Sequence, residues 1–278
     1  MKRILILIVL GLSFLSVTAY GWELYVGNEA ANSITVHNQA GQLIDTITDP
    51  LINFPTQLAF RANGNLYLAL CTTGKTIIID QNNNVIGYVN TNPAQGLAFG
   101  ENNHLYLGGA EYDENDNFVK SFPLATVMTV GPNGNLFLVN NGEHKVYEVD
   151  LNGNILNQFS TGSGSYPRGI AFGPDGRIYV SRDLFNDIGV YNPNTFALER
   201  TITGVTSPYQ IAFDPLDNHL FVASFPNNNI LEFLYTGQYL GIFTSGLSHP
   251  SFITFKSQCT SWEDVIKKYQ EYVNCQAP

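Results

Sequence analysis

Short apolar runs recur along this chain at an interval of about 40 residues. Tyr166 to Tyr191 contains the clearest copy, in which one run closes at Phe172, a Pro-Asp-Gly turn follows, and a second run begins at Ile178. Two apolar runs joined by such a turn predict a β-hairpin. The first runs close at Phe60, Phe99, Val130, Phe172, Phe213 and Phe255, and the second runs begin at Leu24, Leu66, Leu105, Leu136, Ile178 and Leu220.

Two further apolar runs follow the hairpin, and in the clearest copy they cover residues 188–192 and 196–202. A repeat of this length with four strands predicts a β-propeller, whose blades are four-stranded sheets around a channel. Six copies predict an all-β, six-bladed propeller over residues 22–255. The repeats begin with a second-type strand at Leu24 and end with a first-type strand at Phe255, so we expect these strands to share a blade and close the ring.

One interval departs from the pattern, because Phe99 and Val130 are 31 residues apart whereas the neighbouring intervals are 39 and 42. One strand of that blade is expected to be short or absent. The stretch 111–117 (EYDENDN) lies there and imitates the start of a calcium loop. Phe118 and Leu124 stand where that loop requires Gly and Glu, so a solvated turn is favoured and calcium is the alternative.

Residues 1–19 have the pattern of a cleaved signal peptide, with Lys2 and Arg3 ahead of an apolar run that ends at Val17 and a small-residue exit at Ala19. An uncleaved membrane anchor is the alternative, although the run is shorter than the roughly 20 residues that a span needs.

Residues 256–278 form a C-terminal helical tail in this interpretation. Thr260 to Glu263 fits a capping box, and we expect an amphipathic helix that covers the outside or base of the ring, with a partner-docking helix as the alternative. The apolar residues at helical spacing are Trp262, Val265, Ile266, Tyr269 and Val273.

Cys259 and Cys275 bracket the predicted helix and are expected to pair as a disulfide in an oxidising compartment. The pairing requires the chain to fold back beyond the helix end, since the helix alone holds the two residues too far apart. Cys71 is expected to be an unpaired, buried side chain, with pairing to one tail cysteine as the alternative.

Composition agrees with many short strands, because 18 Phe and 15 Tyr accompany only 2 Met. The formal charge at pH 7 is −10, which makes nucleic acid and anionic membranes poor partners. Together with the signal peptide, this favours a secreted or periplasmic protein with no membrane span after cleavage. We expect a monomer.

Two stretches, YPRGIAFGPDGRIYV from Tyr166 and GPNGNLFLVNNGEHKVYEVDLNGNIL from Gly131, resemble the NHL repeat of six-bladed β-propellers. The resemblance covers residues 22–255. The larger superfamily includes gluconolactonase and senescence-marker-type lactonases, strictosidine synthase and peptidyl-amidoglycolate lyase, so the resemblance implies a fold more strongly than an activity.

In the lyase and lactonase relatives, metal ligands occupy the positions just after the proline that opens each inner strand. None of the residues at these positions in this sequence is His, Asp, Glu or Asn, so the resemblance carries over no metal site, and no cofactor is expected. The six positions hold Thr56, Gln95, Thr126, Arg168, Tyr209 and Ser251.

Other catalytic signals are weak. His144 and His249 reach the same face of the predicted ring, but from blades on opposite sides, so a three-His zinc site is not expected. Glu29, Glu143 and Asp183 lie on that face as candidate general bases, for which solvated loop carboxylates are the simpler interpretation. The sequence contains no nucleophile elbow, Walker loop or Rossmann fingerprint.

The remaining pattern suits binding at the channel rim. Arg168 can hold a carboxylate or phosphate, Tyr209 offers a stacking face, and nearby amides suit neutral polar ligands; alternatively, Arg168 only satisfies channel carbonyls. The candidate ligand-binding set is Thr56, Gln57, Gln95, Thr126, Arg168, Tyr209, Gln210 and Ser251. We therefore expect a non-catalytic module that binds a small polar or anionic ligand or a protein. The alternatives are a hydrolase or lyase with a rearranged site and a purely structural surface protein.

Overall fold

The computed structural model describes residues 21–123 and 125–258. Within these residues, 24 strands form six four-stranded sheets. The first sheet has the order β24-β1-β2-β3, and the other five contain strands that are consecutive in the chain.

We number the sheets as blades one to six in chain order, taking as blade one the sheet that contains β1. Blade one holds β1 (Gly21–Asn28), β2 (Ser33–His37), β3 (Leu43–Ile47) and β24 (Pro250–Gln258). Blade two holds β4 (Pro55–Phe60), β5 (Leu66–Leu70), β6 (Lys75–Ile79) and β7 (Val85–Asn90). Blade three holds β8 (Leu97–Phe99), β9 (Leu105–Leu107), β10 (Ala110–Tyr112) and β11 (Phe118–Ser121).

Blade four holds β12 (Val127–Val130), β13 (Leu136–Asn140), β14 (Lys145–Val149) and β15 (Ile155–Ser160). Blade five holds β16 (Pro167–Phe172), β17 (Ile178–Arg182), β18 (Asp187–Tyr191) and β19 (Leu198–Ile202), with a short 3₁₀ helix at Asp183–Phe185. Blade six holds β20 (Pro208–Phe213), β21 (Leu220–Ser224), β22 (Asn229–Phe233) and β23 (Tyr239–Ser245).

The inner strands surround a channel, and β4, β8, β12, β16 and β20 contact one another in that order. This arrangement confirms the all-β, six-bladed propeller. The second strands are almost entirely buried, as in β5, β17 and β21, whereas the fourth strands carry most of the exposed residues. Residues Glu23–Lys256 form one compact unit.

Aromatic pairs join neighbouring blades near the end of five of the six inner strands. The ring of Phe60 lies 5.1 Å from that of Tyr25 in the preceding blade, in an edge-to-face arrangement, which favours aromatic contacts. The equivalent pairs are Phe99 with Tyr67, Phe172 with Phe137, Phe213 with Tyr179 and Phe255 with Phe221. In blade four Val130 replaces the phenylalanine, and Tyr106 instead packs on Phe122, with ring centroids 4.7 Å apart.

The short interval between Phe99 and Val130 shortens every strand of blade three and removes none. Its four strands have three, three, three and four residues. The stretch 111–117 forms a turn in which Asp113 Oδ1 accepts hydrogen bonds from the backbone N–H groups of Asn115 and Asn117, both at 2.9 Å. Arg61 of blade two donates to Asp116 at 2.9 Å and to the carbonyl oxygen of Asp113 at 3.1 Å. A positively charged side chain, the guanidinium of Arg61, therefore contacts this turn.

The predicted signal peptide at 1–19, most of the predicted tail helix and the predicted Cys259–Cys275 disulfide lie outside the described residues. Cys71 is free within the part of the chain that the structure describes. Among the same residues, no helix has the length and hydropathy needed to cross a membrane.

Candidate ligand site at the channel mouth

A cavity of about 150 Å³ lies at the end of the channel where the inner strands begin. Residues from all six blades line it, so the ring brings together positions that are far apart in sequence. The lining residues are Glu29, Phe54, Thr56, Cys71, Gln95, Thr126, Val127, Asn141, Pro167, Arg168, Tyr209 and Phe252.

Five of the six predicted ring positions line this cavity: Thr56, Gln95, Thr126, Arg168 and Tyr209. The two threonine hydroxyls already donate to backbone carbonyl oxygens, at Ala69 and Val139, each over 2.8 Å. Ser251 does not line the cavity, because it is fully buried, with its hydroxyl 3.5 Å from the Gly27 oxygen and 3.4 Å from the Pro55 oxygen.

Gln57 and Gln210 line a second cavity, of about 520 Å³, further along the channel. Gln57 Nε2 donates to the Met128 oxygen at 2.6 Å, and its Oε1 accepts from the N–H groups of Leu97 and Met128, each at 3.1 Å. This amide therefore ties blade two to blades three and four. Gln210 Oε1 is buried and accepts no hydrogen bond from the described residues.

A second ring of positions contributes to the site, namely the residue that follows each second strand. Glu29, Cys71 and Asn141 occupy this position in blades one, two and four and line the cavity. In blades five and six the same position holds Asp183, which pairs with Arg168, and Phe225, which stacks on Tyr209. Sequence reasoning placed Glu29 and Asp183 on this face without recognising the ring. Aligning the ends of the second strands in the sequence would have identified this second ring of positions.

Arg168 is held on three sides. Its Nε donates to Asp183 Oδ2 at 3.2 Å, and its guanidinium lies over the rings of Tyr166 and Tyr209, 4.5 Å from each centroid. The other oxygen of Asp183 accepts a hydrogen bond from the Ser207 hydroxyl. The guanidinium plane is thus fixed by an ion pair and two cation–π contacts.

Glu29 is the acidic residue of the lining, and its side chain is partly buried. Burial raises the pKa of its carboxyl, while the nearby Ser251 hydroxyl and the charges of Arg168 and His249 act in the opposite direction. Desolvation disfavours the charged form of a carboxylate, so Glu29 favours a cationic or hydrogen-bond-donating neighbour.

Tyr209 belongs to a stack of aromatic rings beside the site. Tyr209 stacks on Phe225 with centroids 4.1 Å apart, and Phe225 stacks on His249 at 4.7 Å. Burial raises the pKa of the Tyr209 hydroxyl to about 12, and burial also raises the pKa of the Cys71 thiol. Both groups are therefore neutral at pH 7.

The backbone at this rim adopts an uncommon conformation. Four residues that precede the prolines of inner strands have positive φ: Phe54 (54°), Tyr166 (51°), Ser207 (45°) and His249 (51°). Non-glycine residues rarely occupy this region, and such strain persists only where surrounding contacts hold it.

A side chain of the preceding blade holds each of these backbones. The N–H groups of Phe54, Ser207 and His249 donate to asparagine Oδ1 atoms, each at 2.8 Å, and that of Tyr166 donates to His144 Nδ1 at 3.3 Å. The acceptors are Asn32, Asn186, Asn228 and His144, which themselves have positive φ. We call this repeated contact the interblade clamp.

The sequence matches no family model and no curated protein. A protein of unknown function from Bacteroides caccae is similar in structure, with a TM-score of 0.71, 12% identity, and coverage of 85% of this chain and 99% of that chain. A chain of the nidogen/laminin complex aligns with a TM-score of 0.69 at 13% identity, covering 86% of this chain and 100% of its own.

A catalytically inactive variant of virginiamycin B lyase from Staphylococcus aureus, solved with quinupristin, has a TM-score of 0.62 and 16% identity. The alignment covers 88% of this chain and 95% of the lyase. At these identities the similarity shows the fold alone. The chain is a six-bladed β-propeller, which confirms the resemblance inferred from the repeats at the level of fold.

Proposed function

We propose that this protein is a secreted or periplasmic propeller that binds a small polar ligand at the channel mouth without transforming it. One observation carries the proposal: five ring positions and three residues that follow second strands converge on one cavity of about 150 Å³. A concave site with a few converging polar groups is where a small ligand is expected to bind.

The rigidity of the rim supports binding. Arg168 is fixed by Asp183 and by the rings of Tyr166 and Tyr209, and the interblade clamp fixes the backbone before the inner strands. A site whose side chains are already ordered loses less conformational entropy when a ligand binds.

We also infer that pairing of the terminal strands closes the ring, which the order β24-β1-β2-β3 supports. The signal peptide and the tail helix stay predictions from the sequence.

Truncation of one wall of the cavity tests this function. Tyr209→Ala removes a lining ring and one face of the Arg168 contact, and we expect it to weaken ligands found in a thermal-shift screen of small polar compounds by about tenfold or more. Tyr235→Ala, at an exposed tyrosine in a turn of blade six, is the matched control and should leave affinity unchanged. Equal affinity in both variants would place the ligand elsewhere.

Catalysis by a rearranged site is the second candidate. It is favoured by the similarity to virginiamycin B lyase and to a streptogramin B lyase, and by a partly buried carboxyl, Glu29, with a raised pKa, because such groups serve as general bases. Metal content separates the two candidates. Stoichiometric zinc or calcium in the purified protein would favour the enzyme.

A further inference from the structure

We propose that the cavity selects a small organic cation, a primary amine with an apolar body about the size of one ring, which pairs with the carboxylate of Glu29. This inference rests on the proposed binding function and assigns the charge of its ligand. It departs from the anionic ligand that Arg168 suggests in the sequence.

The charges at the mouth favour a cation. Arg168 is the cation of the lining, and the carboxylate of Asp183 lies 3.2 Å from its Nε, so these two charges largely offset each other. No salt bridge within the described residues involves Glu29. The three groups together carry one net negative charge, and the chain as a whole carries −10, so the field at the mouth attracts cations.

An anion would meet an arginine that is already engaged. Asp183 is buried and holds Nε, and the rings of Tyr166 and Tyr209 cover the guanidinium at 4.5 Å. A carboxylate ligand would therefore compete with Asp183 for the same cation. An ammonium group would instead neutralise the charge of Glu29, whose pKa is raised by burial. A hydrogen-bonded ion pair between the ammonium and the carboxylate offsets the cost of burying that carboxylate.

The other lining groups suit the body of such a ligand. Phe54, Tyr209 and Phe252 line the cavity, so aromatic side chains can contact the apolar body of the ligand. Tyr209 is already stacked on Phe225 and covered by the Arg168 guanidinium, so Phe54 and Phe252 are the aromatic residues of the lining that remain for an ammonium group. A dry cavity of about 150 Å³ is known to accommodate a benzene ring, so this volume matches one ring. The titratable or charged groups that face Glu29 are Arg168, His249, Cys71 and Tyr209.

Cys71 allows the field at the cavity to be measured without a ligand, because its partly exposed thiol lines the same cavity as Glu29. Two methanethiosulfonate reagents of opposite charge, aminoethyl and sulfonatoethyl, each form a mixed disulfide with the thiolate and release a sulfinate. Labelling of the Cys71 peptide is followed by mass spectrometry in the full chain, which separates it from Cys259 and Cys275. The ratio of the two rates is normalised to that of N-acetylcysteine.

We expect the aminoethyl reagent to react faster, with a normalised ratio above about five, and Glu29→Gln to lower this ratio about fivefold. A change in thiolate fraction affects both reagents equally, so the ratio reports the field alone. Glu143→Gln, at an exposed carboxyl on the same face, is the control and should leave the ratio unchanged. A ratio of one or less would overturn the cation inference and leave the binding proposal standing. If neither reagent labels the folded protein but both label it in urea, the cavity is closed and the binding proposal itself fails.

A matched ligand series completes the test with benzylamine, benzyl alcohol and benzoate, titrated by calorimetry at pH 7. We expect benzylamine to bind at least about tenfold more tightly than benzyl alcohol, and Glu29→Gln to abolish that preference. Tightest binding by benzoate would show that Arg168 governs the site and would overturn the inference. Absence of binding by all three would contradict both proposals.

Discussion

At the scale of single residues, Glu148 shows how a buried carboxylate is accommodated without an ion pair to any of the described residues. Its two oxygens accept hydrogen bonds from the side-chain amides of Asn133 at 2.8 Å, Asn135 at 2.7 Å and Asn157 at 2.8 Å. Burial raises the pKa of Glu148, but these three hydrogen bonds outweigh it, so the net shift is downward. Asn133 and Asn135 lie in the turn before β13 and Asn157 lies in β15, so the sequence does not show that the three share a partner on β14.

Glu148→Gln is expected to lower the free energy of unfolding at pH 7 by about 1 to 3 kcal/mol. The substitution introduces an NH2 donor that faces the NH2 donors of the asparagines, so at least one of their hydrogen bonds is lost. Since the folded-state pKa is lowered, the contribution of Glu148 is present above the ordinary carboxyl pKa of about 4 and is lost as the pH falls below it. The difference between wild type and variant should therefore shrink from pH 7 to pH 3 in urea titrations. Glu114→Gln, at an exposed turn carboxyl, is the control; a difference that does not depend on pH would contradict the account.

At the scale of elements, the interblade clamp explains a residue that the sequence left without a role. From the sequence, His144 is considered only as a member of a zinc site that is not expected, and the structure gives it the role that Asn32, Asn186 and Asn228 have in other blades. The repeat predicted strands, turns and the ring of rim positions, because alternation and spacing encode them locally. The clamp was not predictable in the same way, since it joins an acceptor in one blade to a backbone N–H in the next.

Two substitutions of His144 isolate the clamp. Both Asn and Gly tolerate the φ of 56° at this position, but only Asn retains an acceptor for the Tyr166 N–H. We expect His144→Gly to lower the free energy of unfolding by about 1 kcal/mol more than His144→Asn does. Denaturant unfolding monitored by tryptophan fluorescence measures both. If the two variants are equally stable, the hydrogen bond to Tyr166 contributes nothing.

At the scale of the whole molecule, stability is expected to vary around the ring, and blade three is its weakest part. The strands of blade three have three or four residues, whereas those of blade five have five or six, so fewer ladder hydrogen bonds hold it together. Blade three also lacks the aromatic pair with blade four, because Val130 replaces the phenylalanine. The shortening was visible in the sequence as the 31-residue interval. The sequence did not show that the shortening is spread over all four strands, because the loss of one whole strand would give a similar interval.

Hydrogen exchange measures this variation directly. We expect backbone amides of residues 97–121 to exchange faster than those of residues 167–202 under native conditions, since local opening requires fewer buried contacts and hydrogen bonds to break. Peptides from the two blades can be compared in a single mass-spectrometric experiment, so blade five serves as the internal control. Arg61 opposes this opening, because its hydrogen bonds to the turn at 113–116 attach blade three to blade two. Arg61→Met should therefore accelerate exchange in blade three and leave exchange in blade five unchanged. Equal protection of the two blades in the wild type would instead show that the ring opens as one cooperative unit.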